Sequence, residues 1–215
     1  QKLPAKRDEE WRFTDISPLA RLPYQPSQAE CRLQAHDIEH LCLKEAENRL
    51  VFVDGYYSPE LSRITDHTAL VAGNLPDFLS THSAVLESHL GQYAQYEHNV
   101  FAALNTAFLR DAALIIVPKN TTINEPIHLL FIAAQSEVTS YPRCLLVAET
   151  GSQVTIIEDY VSLQKATYIT NSVTEISLAA NAHVQHIRVQ RENTHAFHLA
   201  NCAVSLARAS NYQSI

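Results

Sequence analysis

In the second half of the chain, apolar and polar residues alternate with a period of two, and the alternating unit recurs. LLVAETGSQVTII (Leu145 to Ile157), ISLAANAHVQHI (Ile176 to Ile187) and VSLARASNYQSI (Val204 to Ile215) each read as a short alternating run, a small or polar turn, and a second alternating run. Val154 and Val184 are 30 residues apart, and Ile187 and Ile215 are 28 apart. Period two makes the runs strands, because successive side chains of a strand face opposite sides. A fixed repeat of this length makes the strands a solenoid, in which each unit buries its apolar face against its neighbours. The expected fold is therefore mainly β, a β-solenoid behind an α-helical N-terminal region.

Upstream, the pattern changes twice. Residues 1–28 are rich in Pro and charge, and EEWRFTDISPL (Glu9 to Leu19) supplies Trp11, Phe13, Ile16 and Leu19 as an anchoring face for an extended arm. His36 to Asn48 predicts a short helix with Asp37 at its N-cap and Ile38, Leu41 and Ala46 inward. RLVFVDGYY (Arg49 to Tyr57) predicts a hairpin around Asp54-Gly55, with a short second strand because Pro59 follows. Val85, Leu86, His89, Leu90 and Tyr93 recur at helical spacing, as do Phe101, Leu104, Phe108 and Leu109. From Ala112 the period becomes two. This places a boundary near Asp111: residues 1–111 form a helical region with a hairpin, and residues 112–215 form the first rungs of the solenoid.

Composition narrows the function classes. With 46% hydrophobic and 18% charged residues the chain is globular. A net charge of −7 without a basic stripe argues against nucleic acid, and the longest apolar runs are too short to span a bilayer. The four glycines are dispersed, so neither a Walker loop nor a dinucleotide fingerprint can be built. Cys31, Cys42, Cys144 and Cys202 lack paired spacing, which fits reduced thiols in a cytoplasm-like compartment. The chain has no methionine, and its last repeat stops in mid-strand. It is therefore expected to be a fragment, with an edge at Asn211 to Ile215 for further rungs or another chain to pair.

Candidate chemistry is sparse. His195-x-x-His198, with Cys202 four residues on, is the one histidine pair with metal-ligand spacing, and metal ligation is not the expected reading. His183 and His186 should face opposite ways on one strand, with His195 and His198 in the next connection. Glu158-Asp159 would serve a carbohydrate-cleaving β-helix enzyme, the alternative function. Adjacent strand residues diverge, however, and the second repeat has Arg188-Val189 there. Rim charges are the expected reading. Trp11, the Tyr56-Tyr57 pair and Tyr93/Tyr96 are read as packing groups rather than a ligand groove, and Cys144 and Cys202 as small buried hydrophobes. No catalytic residue is assigned.

EEWRFTDISPL, RLVFVDGYYSPELS (Arg49 to Ser62), FAALNTAFLRDAALIIVP (Phe101 to Pro118), PIHLLF (Pro126 to Phe131) and VTIIEDYVSL (Val154 to Leu163) occur in one order along the chain. Together they resemble the SufD branch of the SufB/SufD family of iron–sulfur cluster assembly proteins. One departure is Asp111-Ala112-Ala113, where the family often reads Asp-Gly-Ala. The resemblance implies a right-handed parallel β-helix between helical regions. It also implies a non-catalytic scaffold that pairs with SufB and SufC and supports iron acquisition, with a homodimer as the form without those partners. No cofactor is implied for this chain itself; an iron–sulfur cluster would belong to the full complex. The implied location is the cytoplasm, or a plastid in a photosynthetic eukaryote. The family's ligand residues fall beyond this chain, so none is transferred.

Overall fold

The computed structural model describes residues 3–29, 33–65 and 70–215; Cys31 lies outside them. The elements run in the order β1 (Gln25–Pro26), α1 (Ala35–Ile38), β2 (Asn48–Val53), β3 (Tyr56–Tyr57), β4 (Val71–Asn74), α2 (Leu75–Thr81), α3 (Ser83–His89), α4 (Val100–Ala107) and β5 (Ala113–Val117). The remainder is strand: β6 (Ile127–Ala133), β7 (Val138–Ser140), β8 (Arg143–Ala148), β9 (Gln153–Ser162), β10 (Ile169–Leu178), β11 (His183–Arg191), β12 (Phe197–Leu206) and β13 (Asn211–Ser214). Two facing sheets result. One runs β1-β7-β10-β8-β5-β4 with β12 also on β10, and the other runs β13-β11-β9-β6-β2-β3.

The chain passes from one sheet to the other and back, so each rung is one strand per sheet. The rungs are β5/β6, β7–β8/β9, β10/β11 and β12/β13, stacked in parallel. The repeats seen in the sequence are these rungs in register: Val184 pairs with Val154 and with Tyr212, and Ile215 bonds across β11 at His186 and Arg188. The turns stack as well. Asn120, Gly151, Asn181 and Ala209 hold left-handed backbone at equivalent places, with φ of 56°, 69°, 58° and 57°. The amides of Asn120, Gly151 and Asn181 each donate to the turn above. At Gly151 a Cβ would add left-handed strain and would sit 2.5 Å from Asn120 Oδ1, so the Asn120 side chain would have to shift. Gly151→Ala is therefore expected to cost about 1–3 kcal/mol in urea unfolding. A loss below about 0.5 kcal/mol would mean that the turn stack is not rigid.

Continuous strand begins at β5 (Ala113–Val117), and strands of the N-terminal part join the solenoid sheets. Its β2 pairs in parallel with β6, and β1 pairs in parallel with β7. The antiparallel strands β3 and β4 then close the start of each sheet. Reversed strands stop further parallel stacking at that end. The Asp54-Gly55 turn has φ of 50° and 89°, as a tight hairpin demands, and the second strand is two residues long. In the predicted helix of His36 to Asn48, only Ala35–Ile38 is α-helical, followed by a 3-10 turn at Glu39–Leu41. Its N-cap is Gln34. Asp37 sits three residues in and returns a hydrogen bond to Gln34 N, the reciprocal half of a capping box.

Packing explains the burial pattern. Leu50, Phe52, Ile115, Leu129, Phe131, Leu146, Ile156 and Ile176 meet between the sheets. The outer face of β5 and β8 is covered by Leu75, Phe78 and Leu86 of α2 and α3, and that of β2 and β6 by Ile38 and Leu41. Strands covered on both sides read as unbroken apolar runs, whereas β11 alternates because its outer face meets water.

Candidate functional site

The solenoid interior changes character along its axis. In the first rungs it is apolar. On β9 the inward series is Val154, Ile156, Glu158 and Tyr160, and the same series on later strands brings in Ser172 and Thr174, His186 and Arg188, His198 and Cys202, and Tyr212. These groups form one chain of hydrogen bonds and ion pairs across the interior. Glu192 Oε2 pairs with His198 Nδ1 at 2.6 Å, and His198 Nε2 with Ser172 Oγ at 3.2 Å. Ser172 also stands next to the Tyr160 hydroxyl. Tyr160 in turn donates to Glu158 Oε2 at 3.2 Å.

Glu158, fully buried, is the centre. Thr174 Oγ1 donates to its Oε1 at 2.5 Å, and Arg188 Nε donates to Oε2 at 3.1 Å. His186 Nε2 stands 3.3 Å from Oε1, an ion-pair distance but off the hydrogen-bond axis, which leaves Nε2 without a hydrogen bond. Beyond it, His186 Nδ1 meets the Tyr212 hydroxyl at 2.8 Å, and that hydroxyl lies 3.7 Å from Cys202 Sγ. Burial pushes the Glu158 carboxyl up, but His186, then Arg188 and Thr174, outweigh it and hold the group at about 2. Burial likewise opposes charge on His186, yet Cys202 and Glu158 together raise it to about 9. Burial and then the Cys202 charge push Tyr212 up to about 12.

The outward faces carry two further buried clusters. On one, Asp159 accepts from Arg191 Nε at 3.0 Å and pairs with His128 Nε2 at 3.1 Å, while Arg191 Nη2 also donates to Leu41 O. Burial pushes Asp159 up, and His128 and Arg191 reverse this, holding it low. The cluster ties the turn after α1 to its sheet. On the other, Glu175 accepts from the amides of Gly91, Tyr93 and Ala94 at 2.8–2.9 Å and from Arg143 Nη2 at 2.5 Å. Arg143 also donates to Asn105 and Thr106 of α4.

These positions correct several expectations. Glu158 and Asp159 do face opposite sides, but both are buried and ion-paired rather than rim charges, because each has a cation one rung along. In register with Glu158 stand Leu129 and Arg188, and with Asp159 stand Leu130 and Val189, so no acidic stack of the carbohydrate-cleaving kind forms there. His183 is exposed and His186 buried, as their odd spacing requires. His195 lies exposed in the connection, but His198 is inside β12 with both ring nitrogens engaged, so the two do not form a ligand pair. Cys144 is buried, whereas Cys202 is exposed. Among the described residues, no three His, Cys, Asp or Glu side chains converge as a metal cage. Trp11 packs on Phe101 at 5.4 Å, as expected for an anchored arm, while Phe13 is exposed. Tyr56 caps the Ser27 carbonyl beside a 410 Å³ cleft that Phe108, Arg110 and Tyr141 also line. The sequence reading missed Arg143 and Glu175. Their one signal is a single charge in an otherwise uncharged strand.

Comparison with known proteins gives this architecture its family. The description "SUF system FeS cluster assembly, SufBD core domain" matches residues 131–215, and "SufBD protein N-terminal region" matches residues 1–129. The chain belongs to the SufBD family. An iron–sulfur cluster assembly SufBD family protein of Synechocystis is 37% identical, aligned over 100% of this chain and 49% of its own length. The iron–sulfur cluster assembly protein SufD of Escherichia coli is 29% identical over 95% of this chain and 46% of its own. Protein ABCI7, chloroplastic, of Arabidopsis thaliana is 22% identical over 99% and 46%. The chain thus spans about half the length of these relatives. The join between the two SufBD regions falls within β6, one strand later than the boundary read from the sequence. No helix among the described residues is long and apolar enough to cross a membrane.

Proposed function

We propose that this chain is a SufD-like, non-catalytic part of an iron–sulfur cluster assembly machine. It pairs with SufB- and SufC-type subunits in the cytoplasm or plastid and supports iron acquisition, and a homodimer is the form it takes without them. The cluster is cargo of the complex and not a resident group of this chain. The observation that carries the reading is the match of both SufBD regions, in order, to a solenoid with parallel rungs in register. The internal carboxylates support it too. Glu158, Asp159 and Glu175 are consumed in buried ion pairs that hold the rungs and their helical cover together, which suits a scaffold. Co-expression of the tagged chain with SufB- and SufC-type proteins of its source is expected to give one stoichiometric complex on gel filtration. Elution of the chain free of both partners at micromolar concentration would refute the pairing.

A further inference from the structure

The cleft beside Tyr56 forms where β1, the Asp54-Gly55 turn, the turn that ends α4 and Tyr141 meet. Its volume of 410 Å³ lies within the range of about 300–1,000 Å³ usual for small-molecule sites. All its lining residues precede β8, so it lies away from the last rungs. Hydrogen bonds fix its floor. Ser27 N donates to Thr139 O, Ser27 Oγ donates to Asp54 O at 2.7 Å, and the Tyr56 hydroxyl donates to Ser27 O at 3.1 Å. The Asp54 carboxylate is buried and already accepts from the amides of Ala134 and Gln135 and from the Gln135 side chain. Arg110 is different. It is exposed, and among the described residues it has no hydrogen bond or ion pair. Beside it the rings of Phe108 and Tyr141 stack at 4.9 Å with 15° between their planes, and Phe108 is 37% exposed. Burial pushes the Tyr141 hydroxyl up, so it stays neutral and can donate a hydrogen bond.

We propose that this cleft binds a small planar aromatic carboxylate, held by Arg110 and by the stacked Phe108 and Tyr141 rings. The planar guanidinium matches a carboxylate in two parallel hydrogen bonds, and the aromatic wall takes the ring of the ligand. The lining also argues against other occupants. A cation or zwitterion would need a free carboxylate, and Asp54 is committed. A wholly apolar ligand would leave the guanidinium unpaired, and a polyphosphate would need more than one cation. An added peptide strand is disfavoured as well. Ser27 N points toward β7, so the position of β1 that faces outward is Pro26, which has no amide hydrogen to donate. The 610 Å³ hollow lined by Tyr57 and Glu60 offers an acid and no cation, so the same ligand would not choose it. Because the floor is fixed before the ligand arrives, little ordering cost opposes binding.

The test is calorimetric titration of the purified chain with 2-naphthoate near pH 7. Saturable binding is expected with a Kd of about 0.1–1 mM, the range for a ligand of that size. Neutral 2-naphthamide should bind about tenfold more weakly for want of the ion pair, and cyclohexanecarboxylate several-fold more weakly for want of a flat ring. Arg110→Gln should weaken 2-naphthoate about tenfold and leave 2-naphthamide unchanged, while Phe108→Leu should weaken both. Both substitutions fall on exposed side chains, and circular dichroism checks the fold. If either variant fails to fold, the three probes on the unaltered chain decide the matter. Absence of saturable binding up to about 5 mM, roughly fivefold above that range, overturns the proposal. Equal affinity for all three probes, or affinity that neither substitution alters in folded protein, overturns it too. The assay needs no partner, so its outcome is separate from that of the partner-binding experiment.

Discussion

Glu175→Ala is expected to destabilise the fold by about 3–5 kcal/mol, the range for breaking a buried ion pair from one side. Both partners are buried, with 1% of the Arg143 side chain and none of the Glu175 side chain exposed. Removing the carboxylate leaves the guanidinium uncompensated. It also strips acceptors from the amides of Gly91, Tyr93 and Ala94, each an obligatory donor away from water. The loss should be local before it is global. The 90–99 connection should become sensitive to protease while the solenoid core remains folded, because Glu175 is what fixes it to β10. Glu175→Gln with Arg143→Met removes both charges and keeps an acceptor, so it should cost clearly less than Glu175→Ala. Urea unfolding of the three proteins checks this. A loss below about 1 kcal/mol for Glu175→Ala would show that the cluster does not bind the helical cover to the solenoid.

The second large effect is a stability optimum on the acidic side of neutral, set by Glu158 and His186. The Glu158 carboxyl is lowered from its ordinary 4.5 to about 2 in the fold. Its contribution is therefore complete above about pH 4.5 and is lost as pH falls toward 2. His186 is raised from 6.5 to about 9, so its contribution is complete below about pH 6.5 and is lost as pH rises toward 9. The two shifts share the Glu158–His186 interaction, worth on the order of 3 kcal/mol and counted once, while Cys202 also raises His186. Unfolding free energy should thus plateau between about pH 4.5 and 6.5 and decline toward pH 9. Glu158→Gln should make that alkaline decline shallower, because the imidazolium loses its carboxylate and keeps only the Cys202 contribution. A wild-type curve level from pH 6.5 to 9 would rule out a charged His186.

The solenoid was legible because its signal is one-dimensional. Val154 and Val184 face one way and Ile187 and Ile215 the other, so the spacing within each pair is a pairing register of the sheet. The Asp54-Gly55 hairpin was legible for a similar reason, since few residues adopt positive φ. The site was far less so. Glu158 and Asp159 look like surface charges because carboxylates usually are. Nothing local to them says that Arg188 and Arg191, a full coil later, will bury them. His198 was misplaced because the polar 192–196 stretch hides the start of β12. Cys202 is exposed because it lies on β12, the last strand of its sheet, which no later strand of this chain covers.

The sequence by itself therefore determined the strand period, the repeat length, the turn positions and, through five ordered blocks, the family. All of these are properties of consecutive residues or of fixed spacings. Only the tertiary structure decided that β1, β2 and β4 of the N-terminal region join the solenoid sheets. Only the structure, too, placed Arg143 against Glu175, and joined Glu192, His198, Ser172, Tyr160, Glu158, His186, Tyr212 and Cys202 into one internal chain. Most of those contacts link residues from different strands, and their strength depends on the exclusion of water, which exists only once the sheets have closed.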